Sequence, residues 1–207
     1  MKKNKSVNPI KILLCAAALA VFSACGNDSS VSLWTDARDG QTYKIVVIGP
    51  QTWMAQNLNY ETANSYCYDD DVSHCARLGR LYTWSAAMEA CPEGWHLPSK
   101  GEFETLFTTV GGSSNAAKVL KSRSGWFENA NGTDDFSFSA LPAGNRLQDG
   151  KYYNADMAAG FWSSTEGVPG NAYRVSILFT LGFVLLDDNG ENIKDIALSV
   201  RCVQDKK

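Results

Sequence analysis

The spacing of hydrophobic positions changes period twice along the chain. Tyr43-Lys44-Ile45-Val46-Val47-Ile48 is a β-branched run that stops at Gly49-Pro50 and resumes as Gln51-Thr52-Trp53-Met54. Branched and aromatic side chains suit a pleated surface, and Gly-Pro interrupts it, so this stretch predicts a hairpin. Leu81, Trp84, Met88 and Cys91 then recur at helical spacing, with Trp84 on the buried face and Pro92-Glu93-Gly94 as the stop. Ser99 with Glu102 forms a capping box ahead of Phe103, Leu106, Phe107 and Val110, which share one helical face until Gly111-Gly112 ends the turn. Two helices are therefore expected in the first half.

From Gly125 onward the helical period is gone. Short alternating stretches, Phe136-Ser137-Phe138-Ser139 and Leu181-Gly182-Phe183-Val184-Leu185, are separated by Asn131-Gly132, Asp149-Gly150 and Asn189-Gly190, and the chain closes on Ala197 to Val203. Glycine turns between alternating runs predict a second half that is mostly sheet. An opening hairpin, two helices and returning strands make an α+β domain whose ends meet.

The amino terminus has a different character. Lys2, Lys3, Lys5 and Lys11 precede an apolar stretch from Ile12 to Ala24, too short to span a bilayer but suited to the core of an export signal. It ends Val21-Phe22-Ser23-Ala24-Cys25, which resembles a bacterial lipobox, so residues 1–24 are expected to be a signal peptide and Cys25 a lipidated first residue. Cleavage after Ala20 is the competing reading. A diacylglyceryl group plus an N-acyl chain suffices for stable anchoring without a spanning helix. Residues 25–35 would then be the lipidated cysteine and a short polar tether, and 36–207 the domain.

Removing that leader alters the charge. The full chain has 19 Lys and Arg; less the four in the leader, 15 remain against 22 Asp and Glu, a net charge of −7. A surface of that sign without a basic stripe excludes nucleic acid as a partner. With 44% hydrophobic and 20% charged residues, the chain can bury a core and is not wholesale disordered.

Beyond Cys15 and Cys25, four cysteines remain: Cys67, Cys75, Cys91 and Cys202. An even number in an exported chain favours disulfides, and four allow three connectivities. The preferred one joins Cys67 to Cys75, closing a polar loop with little apolar content, and Cys91 to Cys202, tying the first helix to the last strand. Zinc with His74 and His96 as added ligands is the rival, and no CxxC or HxxxH spacing supports it.

Five separated stretches carry a resemblance: Gly79-Arg80-Leu81-Tyr82-Thr83-Trp84; Ala90-Cys91-Pro92-Glu93-Gly94-Trp95-His96-Leu97-Pro98-Ser99; Phe138-Ser139-Ala140-Leu141-Pro142-Ala143-Gly144; Phe161-Trp162-Ser163-Ser164-Thr165-Glu166; and Ser199-Val200-Arg201-Cys202. Together they resemble the Fibrobacter succinogenes major paralogous domain, over about Asp36 to Val203. That family is similar in pattern to the C-type-lectin-like fold. The resemblance thus implies two helices packed on a twisted antiparallel sheet, paired termini and a Cys91–Cys202 bond. Lectin members of that fold hold calcium through Glu-Pro-Asn or Gln-Pro-Asp and Trp-Asn-Asp; none of these triplets occurs here. Asp69-Asp70-Asp71 and Asp187-Asp188-Asn189-Gly190-Glu191 could supply oxygen ligands, but read better as a solvated loop and a hairpin turn. Formylglycine-generating enzymes on the same fold need two free thiols, which the disulfides would consume.

Candidate chemistry therefore points to binding. Serine-hydrolase chemistry needs a histidine base in a matching motif, and neither His74 nor His96 has one. Paired carboxylates for a glycosidase could come from Glu128, Asp134, Asp135, Asp156 or Glu166, at separations the sequence does not give. The stretch from Gly144 to Tyr173 is long and glycine-punctuated. Its Asn145, Arg146, Tyr152, Tyr153, Asp156 and Asn171 suit stacking on sugar faces and bonding of their hydroxyls. The expectation is a lipoprotein on the outer membrane or surface of a Gram-negative bacterium. Its one non-catalytic domain would bind polysaccharide or an extracellular protein with no metal and no cofactor. A ligand-free envelope protein and a glycan hydrolase are the alternatives. Radiolabelled fatty acid is expected to follow the protein and to vanish in Cys25→Ala; label persisting in that variant would refute the anchor.

Overall fold

The computed structural model describes residues 31–187 and 193–206. The expected signal peptide, the expected lipidation site Cys25 and the turn residues Asp188 to Glu191 lie outside the described residues. Among the described residues no helix is long and apolar enough to cross a membrane.

The domain is α+β, with four α-helices and thirteen strands among the described residues. A five-stranded sheet takes β1 (Ser32–Thr35), β2 (Thr42–Ile48), β3 (Gln51–Met54), β13 (Val203–Gln204) and β6 (Trp95–His96), in that spatial order. The second sheet runs β11 (Leu185–Asp187), β10 (Ala172–Leu178), β9 (Ala158–Glu166), β7 (Ala143–Arg146), β12 (Ala197–Ser199), β5 (Leu81–Thr83) and β4 (Ser65–Tyr66), with β8 (Tyr152–Ala155) paired to β7. The helices are α1 (Val72–Leu78), α2 (Trp84–Ala90), α3 (Lys100–Thr109) and α4 (Ser113–Leu120).

The opening hairpin forms as expected, Ile48 pairing with Gln51 around Gly49-Pro50. The capping box on α3 is present in both directions, and Phe103, Leu106 and Phe107 are its buried face. Other expectations are corrected. There are two sheets, and the larger is mixed: β9 runs parallel to β7 and β12. Strand β7 already holds its hairpin partner β8, so β9, one reversal later, must run parallel to it. Four helices replace two. Helix α1 begins within the Cys67–Cys75 loop and runs past Cys75 to Leu78; Asp71 starts it, its carboxylate accepting the Ser73 N–H. Helix α4 buries Ala116 and Ala117 as well as Val119 and Leu120, a face whose small residues give a weak apolar signal.

Phase and boundaries also shift. Leu81 and Tyr82 lie in β5, α2 begins at Trp84 behind the Thr83 cap, and its buried residues are Ala87 and Ala90. Met88 is 44% exposed and Trp84 only half-buried. Phe136 to Ser139 is a turn: the Asp134 carboxylate accepts both the N–H and the hydroxyl of Ser139, which leaves Phe138 pointing into the core. The run from Leu181 becomes a strand only at Leu185. Both disulfides are formed as preferred, Cys67–Cys75 and Cys91–Cys202, with Cα separations of 4.9 and 5.9 Å. In the chain-entropy account the long loop contributes about 4–5 kcal/mol and the short one about half as much.

Between β12 and β13 the chain crosses from one sheet to the other, and Arg201 fills the crossing. The side chain is wholly buried. Its Nε donates to Asn57 Oδ1 at 2.7 Å, Nη1 to the carbonyls of Met54 and Phe138, and Nη2 to the Ser139 carbonyl at 2.8 Å. The guanidinium carbon sits 4.6 Å from the Phe138 ring centre. Asn57 is spent in turn, its amide donating to the Leu78 carbonyl and to Ser199 Oγ. Burial pulls the Arg201 pKa down to about 9, against the opposing pull of Asp134, and the cation persists at neutral pH. Replacement by methionine would leave three buried carbonyls without donors, at roughly 1–3 kcal/mol each. Urea denaturation of Arg201→Met is expected to show a loss of at least about 3 kcal/mol; a loss below about 1 kcal/mol would contradict this assignment.

His96 clamps the chain end. Its Nδ1 lies 2.5 Å from Asp205 Oδ1 and its Nε2 2.8 Å from Glu102 Oε1. Burial works against the imidazolium, but the bonds to Asp205 and Glu102 outweigh it and raise the pKa above its usual 6.5. Burial likewise opposes the Glu102 carboxylate, but the Ser99 N–H and then His96 outweigh it and lower its pKa from the usual 4.5. The histidine contribution is full below pH 6.5 and fades as pH rises through the raised value. The glutamate contribution is full above pH 4.5 and fades as pH falls. Screened as a half-exposed pair is, the clamp is worth at most about 1 kcal/mol, so His96→Gln is expected to lower Tm by about 2–4 °C at pH 6 and by less at pH 9. Equal losses at the two pH values would rule the clamp out.

Candidate functional site

A hairpin, β7 and β8, stands beside the loop closed by Cys67 and Cys75. Asp149-Gly150 makes its turn: the Asp149 carboxylate accepts the Lys151 N–H at 3.0 Å, and Leu147 pairs with Lys151 below it. At the base, Gly144 has φ +68°, and a Cβ there would lie 2.4 Å from the Tyr153 carbonyl oxygen. Only glycine meets both demands. Asn154 opposite Gly144 also has positive φ, at 62°, so the hairpin curls at a fixed point.

Two tyrosines join the hairpin to the loop. The Tyr152 hydroxyl donates to Asp70 Oδ1 at 2.5 Å, and its ring lies 5.2 Å from the Tyr68 ring centre. Burial first, then the Asp70 carboxylate, pushes the Tyr152 pKa up to about 12, so the phenol stays a donor. Tyr68 is braced from behind by His74, whose Nδ1–H donates to the Tyr68 carbonyl at 2.9 Å. Asp69 and Asp70 both have positive φ, near 55°, which turns the loop sharply beside the hairpin. Asp69, Asp70, Gly150, Lys151, Tyr152 and Tyr153 line an open groove of about 440 Å³. Two carboxylates, one ammonium and a phenol ring 40% exposed at Tyr153 give it a slightly acidic, flat-walled character suited to a polar ligand with apolar faces.

The structure brings together only part of the expected set. Tyr152 and Tyr153 sit in the groove. Arg146 is next to it, but its guanidinium is stacked 4.0 Å from the Tyr66 ring centre and 5.7 Å from that of Tyr152, so it holds the hairpin down. Asn145 faces the opposite side of the hairpin, where it accepts from Asn154 Nδ2 at 2.8 Å. Asp156 lies past β8 in the turn into β9, its N–H donating to the Pro142 carbonyl and its carbonyl accepting from Phe127. Asn171 is a correction: it is 6% exposed and closes the β9–β10 turn, at the far end of the long strand β9 from the hairpin. Sequence reasoning missed Asp69, Asp70 and Lys151 as groove residues. The acidic run between two paired cysteines was the available signal.

The same geometry bears on catalysis. Both nitrogens of His96 are held by carboxylates, and Glu166 is paired with Lys194. Asp36, Asp71 and Glu102 are held below the usual carboxylate range; for Asp36 and Glu102, burial is outweighed by hydrogen bonds, and for Asp71 the Ser73 N–H is the main cause. Among the described residues no group of three or more His, Cys, Asp and Glu could hold a metal ion.

A disulfide-tied α+β domain that presents a loop-built groove is the class these features define. The chain belongs to the Fibrobacter succinogenes major domain family, whose model matches residues 46–204. No curated protein and no solved structure matches it.

Proposed function

We propose that this domain is a non-catalytic binding module, carried outside the cell on a lipid anchor at Cys25, whose ligand is polysaccharide. It would serve adhesion or substrate capture and requires no cofactor. The observation that carries the reading is the open groove lined by Asp69, Asp70, Gly150, Lys151, Tyr152 and Tyr153, in which the Tyr152 hydroxyl is bonded to Asp70 and Tyr153 is 40% exposed. Aromatic faces stack on the C–H side of sugar rings while charged oxygens and an ammonium bond the hydroxyls. Loops fixed by a scaffold are where such sites sit.

A C-type-lectin-like ancestry accords with this use. Its support is the bond from the end of α2 to the residue before β13, which closes the chain on itself. The engaged His96 and the ion-paired Glu166 favour binding over hydrolysis.

In a pull-down on insoluble polysaccharides, Tyr153→Ala is expected to weaken retention by about tenfold, or 1.4 kcal/mol. Tyr152→Phe, which keeps the ring, is expected to retain most of it. Full retention by Tyr153→Ala would move the site elsewhere. A wild-type chain that no polysaccharide retains would instead make this a structural envelope protein.

A further inference from the structure

On the other side of the same hairpin lies a second hollow, of about 280 Å³, that shares no lining residue with the groove. Its cause is a run of small residues on one face of the larger sheet. Ala158 and Gly160 of β9 stand opposite Leu178 and Ser176 of β10, and farther along that face Trp162 stands opposite Arg174 and is fully buried. Where tryptophan fills one end, glycine leaves the other end open. A Cβ at Gly160 would lie 2.9 Å from Leu198 Cδ2, so the glycine also lets Leu198 lie flat against the strand as an apolar floor.

The walls are polar and matched. Arg174 and Asp187 are cross-strand partners, with Nε 3.6 Å from Oδ1, and their opposite charges leave the cleft without a net field. The Asn154 to Asn145 bond consumes the Asn145 carbonyl and one Asn154 N–H. The pair therefore offers the cleft a donor amide from Asn145 and an acceptor carbonyl from Asn154, side by side. Ser176 adds a hydroxyl that can donate or accept.

We propose that this cleft binds a single neutral pyranose ring. The C–H face rests on Leu198 and Gly160, and the ring hydroxyls meet Asn145, Asn154 and Ser176, with the Arg174–Asp187 pair at the edge. A hydroxyl both donates and accepts, which is what a mixed set of amide N–H, amide carbonyl and hydroxyl can satisfy. An ionic ligand gains nothing from a cleft whose two charges cancel. The volume lies just below the range of roughly 300 to 1,000 Å³ usual for ligand pockets, and so suits one ring in place of a chain. This site stands apart from the groove and does not rest on the function proposed for it.

The test is saturation-transfer NMR on the full domain with the methyl glycosides of glucose, galactose and mannose, and with methyl glucuronide and glucosamine as charged comparisons. At least one neutral glycoside is expected to take up saturation at its ring protons. Ser176→Leu, which fills the cleft, and Asn145→Ala, which removes its donor, are each expected to weaken binding at least tenfold, while Met88→Ala, at an exposed position of α2, leaves it unchanged. Should Ser176→Leu fail to fold, Asn145→Ala alone decides. Saturation of no neutral glycoside, preference for a charged one, or unchanged binding in the cleft variants overturns the proposal. Binding lost only in Tyr153→Ala would give the ring to the groove, overturning the cleft and leaving the groove intact.

Discussion

The buried guanidinium of Arg201 organises this domain. Arg201 takes up the crossing between the two sheets and distributes its N–H groups over Met54 from the opening hairpin, Asn57 just past it, and Phe138 and Ser139 from the loop before β7. A guanidinium in a dry interior is costly unless every N–H finds an oxygen, and such an arrangement tolerates little displacement of its partners. Segments 62 to 147 residues from Arg201 in sequence are thereby fixed relative to it. The Cys91–Cys202 bond acts one residue farther on, so a covalent tie and a hydrogen-bonded one secure the same turn of chain.

The groove is built by different means. Its walls are a nine-residue disulfide loop and a hairpin, neither with much apolar surface of its own. They hold each other through Tyr152, Asp70, Tyr68 and His74, while Arg146 lies flat on Tyr66. Tyr152 and Arg146, which looked from the sequence like ligand contacts, thus became part of the frame, which leaves Asp69, Lys151 and Tyr153 exposed. The groove owes its shape to the backbone conformations of Gly144, Asn154, Asp69 and Asp70 more than to packing.

Local chemistry was legible wherever neighbours in sequence decide the outcome. The hairpin at Gly49-Pro50 and the Ser99–Glu102 box are of that kind, and the disulfide partners followed from loop character and chain ends. Phase and register were not legible. Met88 fits a helical face on paper, yet α2 is seven residues long and Thr83 sets where it starts, which turns Met88 outward. Phe136 to Ser139 alternates like a strand, but Asp134 captures Ser139 and converts the alternation to a turn. Asn171 carries the same amide as Asn145, and only the length of β9 separates them in space. Two of the five motif stretches gain a physical meaning: Ser199, Arg201, Phe138, Ser139 and Gly144 all belong to the crossing or to the hairpin base.

The fixed curl at Gly144 and Asn154 has an evolutionary corollary. Because the bend is set at the base of the hairpin, residues 147–151 lie beyond it and reverse through the bonds of the Leu147 N–H to the Lys151 carbonyl and of the Gly150 N–H to the Leu147 carbonyl. Doubling the length of such a tip costs only about 0.6 kcal/mol in closure entropy. Descendants of this chain can therefore lengthen or rewrite that segment freely, acquiring new specificity without re-solving the folding problem.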